Sequence, residues 1–506
     1  MTSPRKLHLL DLLETNFVVP QLLGYSGIEN IGTLLSTSSQ VKEGILASAS
    51  ETNFGEGGRM KFIKVENLSK WVKTFTTMDR AGRRVGPPSL RLAPSTSYSQ
   101  WLDDKVLSYF LPKLTQLKFV SFEDAKFNFF QFSNILPLLL TLPNLRVLNL
   151  KNSFYISRSF KSGVPDDDIE IDREEQDIEE EQNALTAILL NVLQNLSSLQ
   201  ELNIIGCQNQ LQQTFINTIL ESLGNRPKFK GLKRLNFEYP IDLGHQFRSY
   251  VLDHLSMPGF KNLEHLHIDY ESYNSLLRGS STRKLMQKLS DACTNLISLE
   301  LAHFDLNEVE ADEDDQTLTP VKALHLLASK TNLRSLHLKR SRFKDSWCSE
   351  LHQLNSFKNL EELKITQDPN YYRVTQLGLG FLGAYRLVQS TPLLKYLKLS
   401  IIKLESLTDQ VDFETFMSAL PVSLQHLSIS IEIRRGLDAE SRQKRYFTTA
   451  EIGYVLKILP KLKHLSTLEL DLDPLKVEFR AKNLGDLRKY CKSRHITLIE
   501  MFNIYT

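Results

Sequence analysis

Three short patterns in this 506-residue chain use residue types that can do chemistry. His265 and His267 alternate with leucine, and Asp269 follows two residues later. On a strand that spacing brings all three to one face, and a His-x-His pair can begin a metal site. His337, two repeats on, is too far to complete a site without help, so the pair is read as facing solvent or a partner. Gly378-Leu379-Gly380-Phe381-Leu382-Gly383 has the letters of a dinucleotide-binding turn. Such a turn must follow directly on a strand and leave room for a pyrophosphate. Here the preceding strand is expected to end near Ile365, and leucine and phenylalanine fill the motif, so the glycines are assigned to close packing. The four cysteines, Cys207, Cys293, Cys348 and Cys491, stand alone with no C-x-x-C pair. That spacing does not suit the common zinc and redox motifs and fits reduced thiols in the cytoplasm or nucleus. No nucleophile stands beside a base in the sequence, and no carboxylate pair has an evident pocket. The expectation is a protein that is not an enzyme and carries no metal and no cofactor.

What positions these residues is a repeat. The string L-x-x-L-x-L, with aliphatic or Phe substitutions, recurs eleven times, from Leu114/Leu117/Phe119 and Leu145/Leu148/Leu150 to Leu465/Leu468/Leu470. Successive copies begin 27 to 41 residues apart, except for one gap of 54. The last two apolar residues of each string alternate with polar ones, the mark of a half-buried strand. Between strings the period becomes helical: Ile216, Ile219, Leu220 and Leu223 share one helix face. Each copy therefore predicts strand, turn, helix, turn, and stacked copies give a parallel sheet beside a layer of helices. Asn precedes the first leucine in five copies, Asn144, Asn262, Asn295, Asn332 and Asn359. Its tolerance of left-handed backbone suits the corner between helix and strand. Residues 480–502 predict a closing helix and strand.

These strings resemble those of the long-repeat, helix-bearing leucine-rich-repeat proteins, a group that includes ribonuclease inhibitor and the F-box/leucine-rich-repeat proteins. The resemblance covers about residues 110–502. It implies an α/β fold, a solenoid or horseshoe of about eleven repeats over 111–502, with the parallel sheet on the concave face and helices on the convex one. At that family's Asn/Cys position, eight residues after the first leucine, only Cys207 matches, so a regular ladder of turn hydrogen bonds is not expected. Two inserts are read as loops because clustered like charges cannot bury apolar surface. One is an acidic loop over 161–182, with eleven acidic residues between Asp166 and Glu181; the other is a basic loop over 433–446.

Ahead of the array, residues 51–110 read as a helix containing Trp71 and Phe75 followed by a linker rich in Pro, Gly, Ser and Arg. Residues 1–50 read as a small α-helical module. Leu22, Leu23, Tyr25, Ile31, Leu34, Ser38 and Lys42 sit where the latter part of an F-box has matching residues. The stretch resembles that motif, although its opening Leu-Pro is missing and Asn30 replaces a frequent Asp. The resemblance implies that Leu22, Leu23, Tyr25, Ile31 and Leu34 dock the adaptor of a cullin–RING ubiquitin ligase while the solenoid holds the target. The other reading of the same residues is a helical cap on the first repeat, which every solenoid needs. The protein is then a scaffold or regulator with no ligase link.

The residues flanking the central leucines line the exposed sheet face. Among them are Arg234, Asn236, His265, His267, Asp269, Glu300, His337, Lys364 and Tyr396. A face that is polar and mixed in sign suits a protein partner better than lipid. Net charge is +2, and the clustered arginines with interleaved aromatics of a nucleic-acid binder are absent. No run approaches eighteen apolar residues, so no membrane span is predicted.

Overall fold

The computed structural model describes residues 89–91, most of 111–153, 168–206, 215–224, 232–239, 260–270, 279–304, 320–341, 345–366, 379–404, 411–434, most of 442–471, and 481–501. The F-box-like residues 1–50 and the helix expected around Trp71 lie outside the described residues. The chain divides into two compact units, Met1–Glu238 and Tyr239–Thr506.

In the first unit the strands follow chain order as parallel neighbours: β1 (Ser89–Arg91), β2 (Phe119–Ser121), β3 (Val147–Asn149), β4 (Glu201–Asn203) and β5 (Arg234–Tyr239). Helices α1 (Phe129–Ile135), α2 (Asp168–Asn195) and α3 (Phe215–Gly224) pack on one another in the same order. The second unit repeats the plan. Its parallel strands are β6 (His265–Tyr270), β7 (Ser298–Ala302), β8 (Ser335–Lys339), β9 (Glu362–Thr366), β10 (Tyr396–Leu404), β11 (His426–Arg434), β13 (Thr467–Asp471) and β14 (Thr497–Met501). Between and after them come α4 (Gly279–Ala292), α5 (Pro320–Lys330), α6 (Asp345–Gln353), α7 (Phe381–Gln389), α8 (Phe413–Ser418), α9 (Thr449–Ile458) and α10 (Ala481–Ser493). Parallel neighbours need a long crossover, and the helices supply it. The central leucines of the strings, from Leu148 to Leu468, are at most 2% exposed. Burying each stabilises the fold by about 1.5–3 kcal/mol. Parallel strands alternating with helices over a leucine core make this the α/β architecture of a leucine-rich-repeat solenoid.

Strand register corrects the first string. Val120 pairs with Leu148, so the opening copy is Leu117/Val120/Phe122, all fully buried, three residues later than Leu114/Leu117/Phe119. With that shift, the seventh residue after the opening leucine is left-handed in five copies: Asp124, Asn152, Gly206, His303 and Arg340. The chain leaves the strand at this point. A Cβ on Gly206 would collide with Asn152 Oδ1, which leaves that turn to glycine. In these copies the left-handed residue follows the strand; Asn355 and His495, also left-handed, lie between helix and strand, and none of the asparagines directly before the opening leucines is left-handed. Asn144 and Asn295 instead donate through Nδ2 to the carbonyls of Thr115 and Lys261 in the preceding copy, both at 3.1 Å. At the family's Asn/Cys position, Ser341 donates to Lys339 O (3.0 Å) and accepts from Phe304 N (3.3 Å). The buried Ser153 hydroxyl at the same position has no partner, so the ladder is irregular.

Both charged inserts contain more order than the sequence suggests. Most of the acidic loop expected over 161–182 is the N-terminal part of the 28-residue α2. Glu is a good helix former, negative charge is favoured near a helix N-terminus, and the buried Leu185, Leu189 and Val192 anchor the following turns. Within the basic loop expected over 433–446, β12 (Arg442–Arg445) pairs antiparallel with β11. Gly380 and Gly383 do serve close packing. The Gly380 amide donates to Asp345 Oδ1 at 2.7 Å, and a Cβ on Gly383 would come within 2.1 Å of that carboxylate.

Candidate partner-binding face

Alternate residues of each strand lie on the face away from the leucine layer, and parallel register stacks them into rows. In the second unit one row runs His267, Glu300, His337, Lys364, Lys398, Ser428 and Glu469. The row beside it runs His265, Ser298, Ser335, Glu362, Tyr396 and His426.

His337 is at the centre of the contacts between them. Its Nδ1 lies 3.3 Å from Glu300 Oε2 and its Nε2 3.1 Å from Glu362 Oε1. Ser335 donates its hydroxyl to Glu362 Oε2 at 2.8 Å and lies 3.1 Å from His337 Nε2. Lys364 Nζ closes on Glu362 Oε1 at 2.7 Å and sits 4.4 Å above the Tyr396 ring, a cation–π contact. Tyr396 in turn stacks on His426 with centroids 4.0 Å apart and planes 5° from parallel. Glu469 ends the chain of contacts, 3.3 Å from His426 Nε2 and 3.6 Å from Lys398 Nζ. His267 Nε2 is 3.6 Å from Glu300 Oε1, and this buried nitrogen has no hydrogen-bond partner.

The protonation states follow from these contacts. Burial works against charge on Glu300, but the His337 hydrogen bond and the two imidazoles outweigh it and hold the carboxyl down at about 2. The same His337 bond, with Lys364 and Ser335, holds Glu362 far below the usual carboxylate range against the pull of burial. For His337 burial pulls downward and is outweighed by its bonds to Glu300 and Glu362, so it is raised above 6.5. Burial lowers His267 and His426, which have only partial compensation from nearby carboxylates.

Ser335, His337 and Glu300 have the distances of an acyl-transfer triad, a grouping that the sequence reading did not find. In this arrangement Ser335 gives its hydrogen to Glu362, which also sits on Nε2, so a doubly protonated His337 has no lone pair with which to accept the serine proton. Among the described residues no group of three His, Cys, Asp or Glu is placed to hold a metal ion. No described helix is long and apolar enough to cross a membrane.

No family model matches the chain, and no curated protein matches it. A solved structure of a protein from Bacteroides fragilis is 14% identical, with 56% of this chain and 69% of that one covered and a TM-score of 0.31. The structure of a TLR13–ssRNA13 complex is 15% identical, with 82% of this chain covered and a TM-score of 0.32; the match spans 49% of the TLR13 chain. Neither likeness is close enough to bear on function.

The residues singled out in the sequence fall in both units. His267, Glu300, His337, Lys364 and Tyr396 come together in the second unit. His265 heads the neighbouring row on β6. Arg234 and Asn236 belong to β5, where Arg234 Nη1 pairs with Glu201 at 3.4 Å and Asn236 lies opposite Asn203. Asp269 turns to His303, whose Nδ1 is 2.9 Å from its Oδ1. Burial raises Asp269, but the His303 bond and charge outweigh this and lower it. Sequence reading missed His303 and its neighbour Arg340, 3.5 Å away. The available signal was their shared place, seven residues after an opening leucine.

Proposed function

We propose that the chain is a binding protein that holds a protein partner on the β7–β11 face of its second unit. The observation that carries this reading is the row of ionic and aromatic side chains fixed by contacts between strands. Lys398, Lys364 and Glu362 keep side-chain exposures of 37%, 29% and 30%. Groups already held in place lose little side-chain entropy on binding, which favours affinity. A photo-crosslinking residue at position 398 should capture a defined partner, and one at position 330 on α5 should not. Equal capture at both positions, or none at 398, would count against the face.

A finer assignment rests on Leu22, Leu23, Tyr25, Ile31 and Leu34 and their resemblance to an F-box. In that reading the chain is the target-recognition subunit of a cullin–RING ubiquitin ligase, working in the cytoplasm or nucleus. The free cysteines Cys293, Cys348 and Cys491 are compatible with those compartments. Co-purification of the ligase adaptor with the wild type, lost on Leu22→Ala with Leu23→Ala, supports it. Absence of the adaptor where another F-box protein retains it leaves the scaffold reading.

A further inference from the structure

We propose that His337 is a proton-controlled clasp of this face: doubly protonated it holds Glu300 and Glu362 against the sheet, and on losing its proton it releases Glu362 to receive a cationic group of the partner. The inference rests on the reading of the face as a binding surface and adds its regulation.

The geometry sets the argument. A neutral imidazole has one N–H and one lone pair. Here both ring nitrogens meet carboxylate oxygens, at 3.3 and 3.1 Å, so a neutral ring would set its lone pair against one of them. Only the imidazolium satisfies both. The groups facing the ring are Glu300 from β7, Glu362 and Lys364 from β9, and Ser335 on its own strand, with Lys339 further along β8 and His267 beyond Glu300 on β6. Two carboxylates against these cations favour the charged ring, and the net shift is upward although burial opposes it.

Deprotonation affects the two sides unequally. At Nδ1 the acceptor is Glu300, and that N–H is retained. At Nε2 the Ser335 hydroxyl is 3.1 Å away and can turn from Glu362 to donate to the new lone pair. Glu362 then loses two donors together and keeps Lys364, at 2.7 Å. A half-buried carboxylate with one remaining cation is available to a lysine or arginine of a partner. The clasp is closed below the His337 midpoint and open above it.

The test uses the full chain with labelled histidine and glutamate, followed by NMR from about pH 5 to about pH 9, a range that spans ordinary histidine titration. Both His337 ring nitrogens should titrate with one midpoint above 6.5, and the Glu362 carboxyl carbon should shift at that same midpoint. Glu362→Gln should bring the His337 midpoint down, whereas Glu469→Gln should leave it in place. A tetra-arginine peptide should bind several-fold more tightly at the high end of the range, an increment lost in both Glu362→Gln and His337→Gln. A midpoint at or below 6.5, a Glu362 signal that ignores His337, or a peptide increment that survives both substitutions would overturn the clasp. Loss of crosslinking at position 398 with these titrations intact would instead overturn the binding face and leave the clasp standing.

Discussion

In β2, β3 and β4 of the first unit, the fourth residue after the opening leucine is Ser121, Asn149 and Asn203, and each bends back on its own chain. The amides of Glu123, Lys151 and Ile205 donate to these side chains at 3.4, 3.1 and 3.3 Å. In the second unit the same position holds His267, Glu300, His337, Lys364, Lys398, Ser428 and Glu469, and most of these are charged side chains that reach toward neighbouring strands. Strand length differs in step: three residues in β2–β4, five to nine in β6–β11. A short acceptor two residues upstream competes with the ladder for an N–H, whereas a long ionic side chain leaves the backbone free to continue the sheet. Asn236 occupies this position in the six-residue β5, so an amide there permits the early stop without forcing it. One ionic contact of the first unit lies beyond the strand end, where Lys151 Nζ meets Glu123 at 3.2 Å, and another joins the starts of β4 and β5, Arg234 to Glu201 at 3.4 Å. In β2–β4 the side chain at this position goes with a strand that ends early, whereas Asn236 in β5 and Ser428 in β11 occupy the same position in longer strands, so the residue favours an early stop without deciding it alone.

Leu148→Ala and Leu336→Ala should cost about the same, roughly 2–5 kcal/mol each, because the leucine layer is common to both units and both residues are fully buried. Urea unfolding checks this. A gap of several kcal/mol between the two would show that the units differ in their cores as well as their faces. Glu300→Ala should act on the second face alone and cost about 1.5–3 kcal/mol, the range for a hydrogen bond to a charged group, by leaving His337 Nδ1 without its acceptor. If the cost is near zero, the contacts between strands do not hold the face together.

Acid sharpens the contrast. The folded Glu300 carboxyl is held down at about 2, below its unfolded value of about 4.3. The stability it contributes is complete above the unfolded value and is lost as pH falls through the folded one. Wild-type stability should therefore fall more steeply than that of Glu300→Gln between about pH 4.5 and pH 2. Parallel curves would mean that the carboxylate is no better held in the fold than in the unfolded chain.

The apolar skeleton was legible because leucines recur at fixed spacing whatever lies between them. Its first copy was misread by three residues because Leu114, Leu117 and Phe119 fit the pattern as well as Leu117, Val120 and Phe122 do. Burial and register separate the two, and neither is visible in one copy. The acidic run looked like a loop because its charge was weighed without the leucines that anchor it further along α2. The face was legible as a set of positions but not as contacts. His337 meets Glu300 and Glu362 across separations of 37 and 25 residues, and only the strand register aligns them.

The smallest effect tests the comparison most locally. Asn203→Ala removes the acceptor for the Ile205 amide at 3.3 Å, a long hydrogen bond at a half-buried site. Its loss should cost about 0.5–1.5 kcal/mol, too little to separate cleanly from other causes by unfolding alone. Hydrogen exchange at the Ile205 amide is the better readout, because that donor is the one that loses its partner. Its exchange should speed up, while the amides of Ile204 and Arg234, which donate to Asn236 O and Gln200 O, keep their protection. If the Ile205 amide instead stays protected, it has found a ladder acceptor and the three-residue strand has lengthened. The Asn203 side chain would then be what ends it, a stronger form of the same conclusion. If Ile204 and Arg234 lose protection as well, Asn203 holds the strand pairing itself and does not merely stop the strand, and the division between the two kinds of face fails at this position.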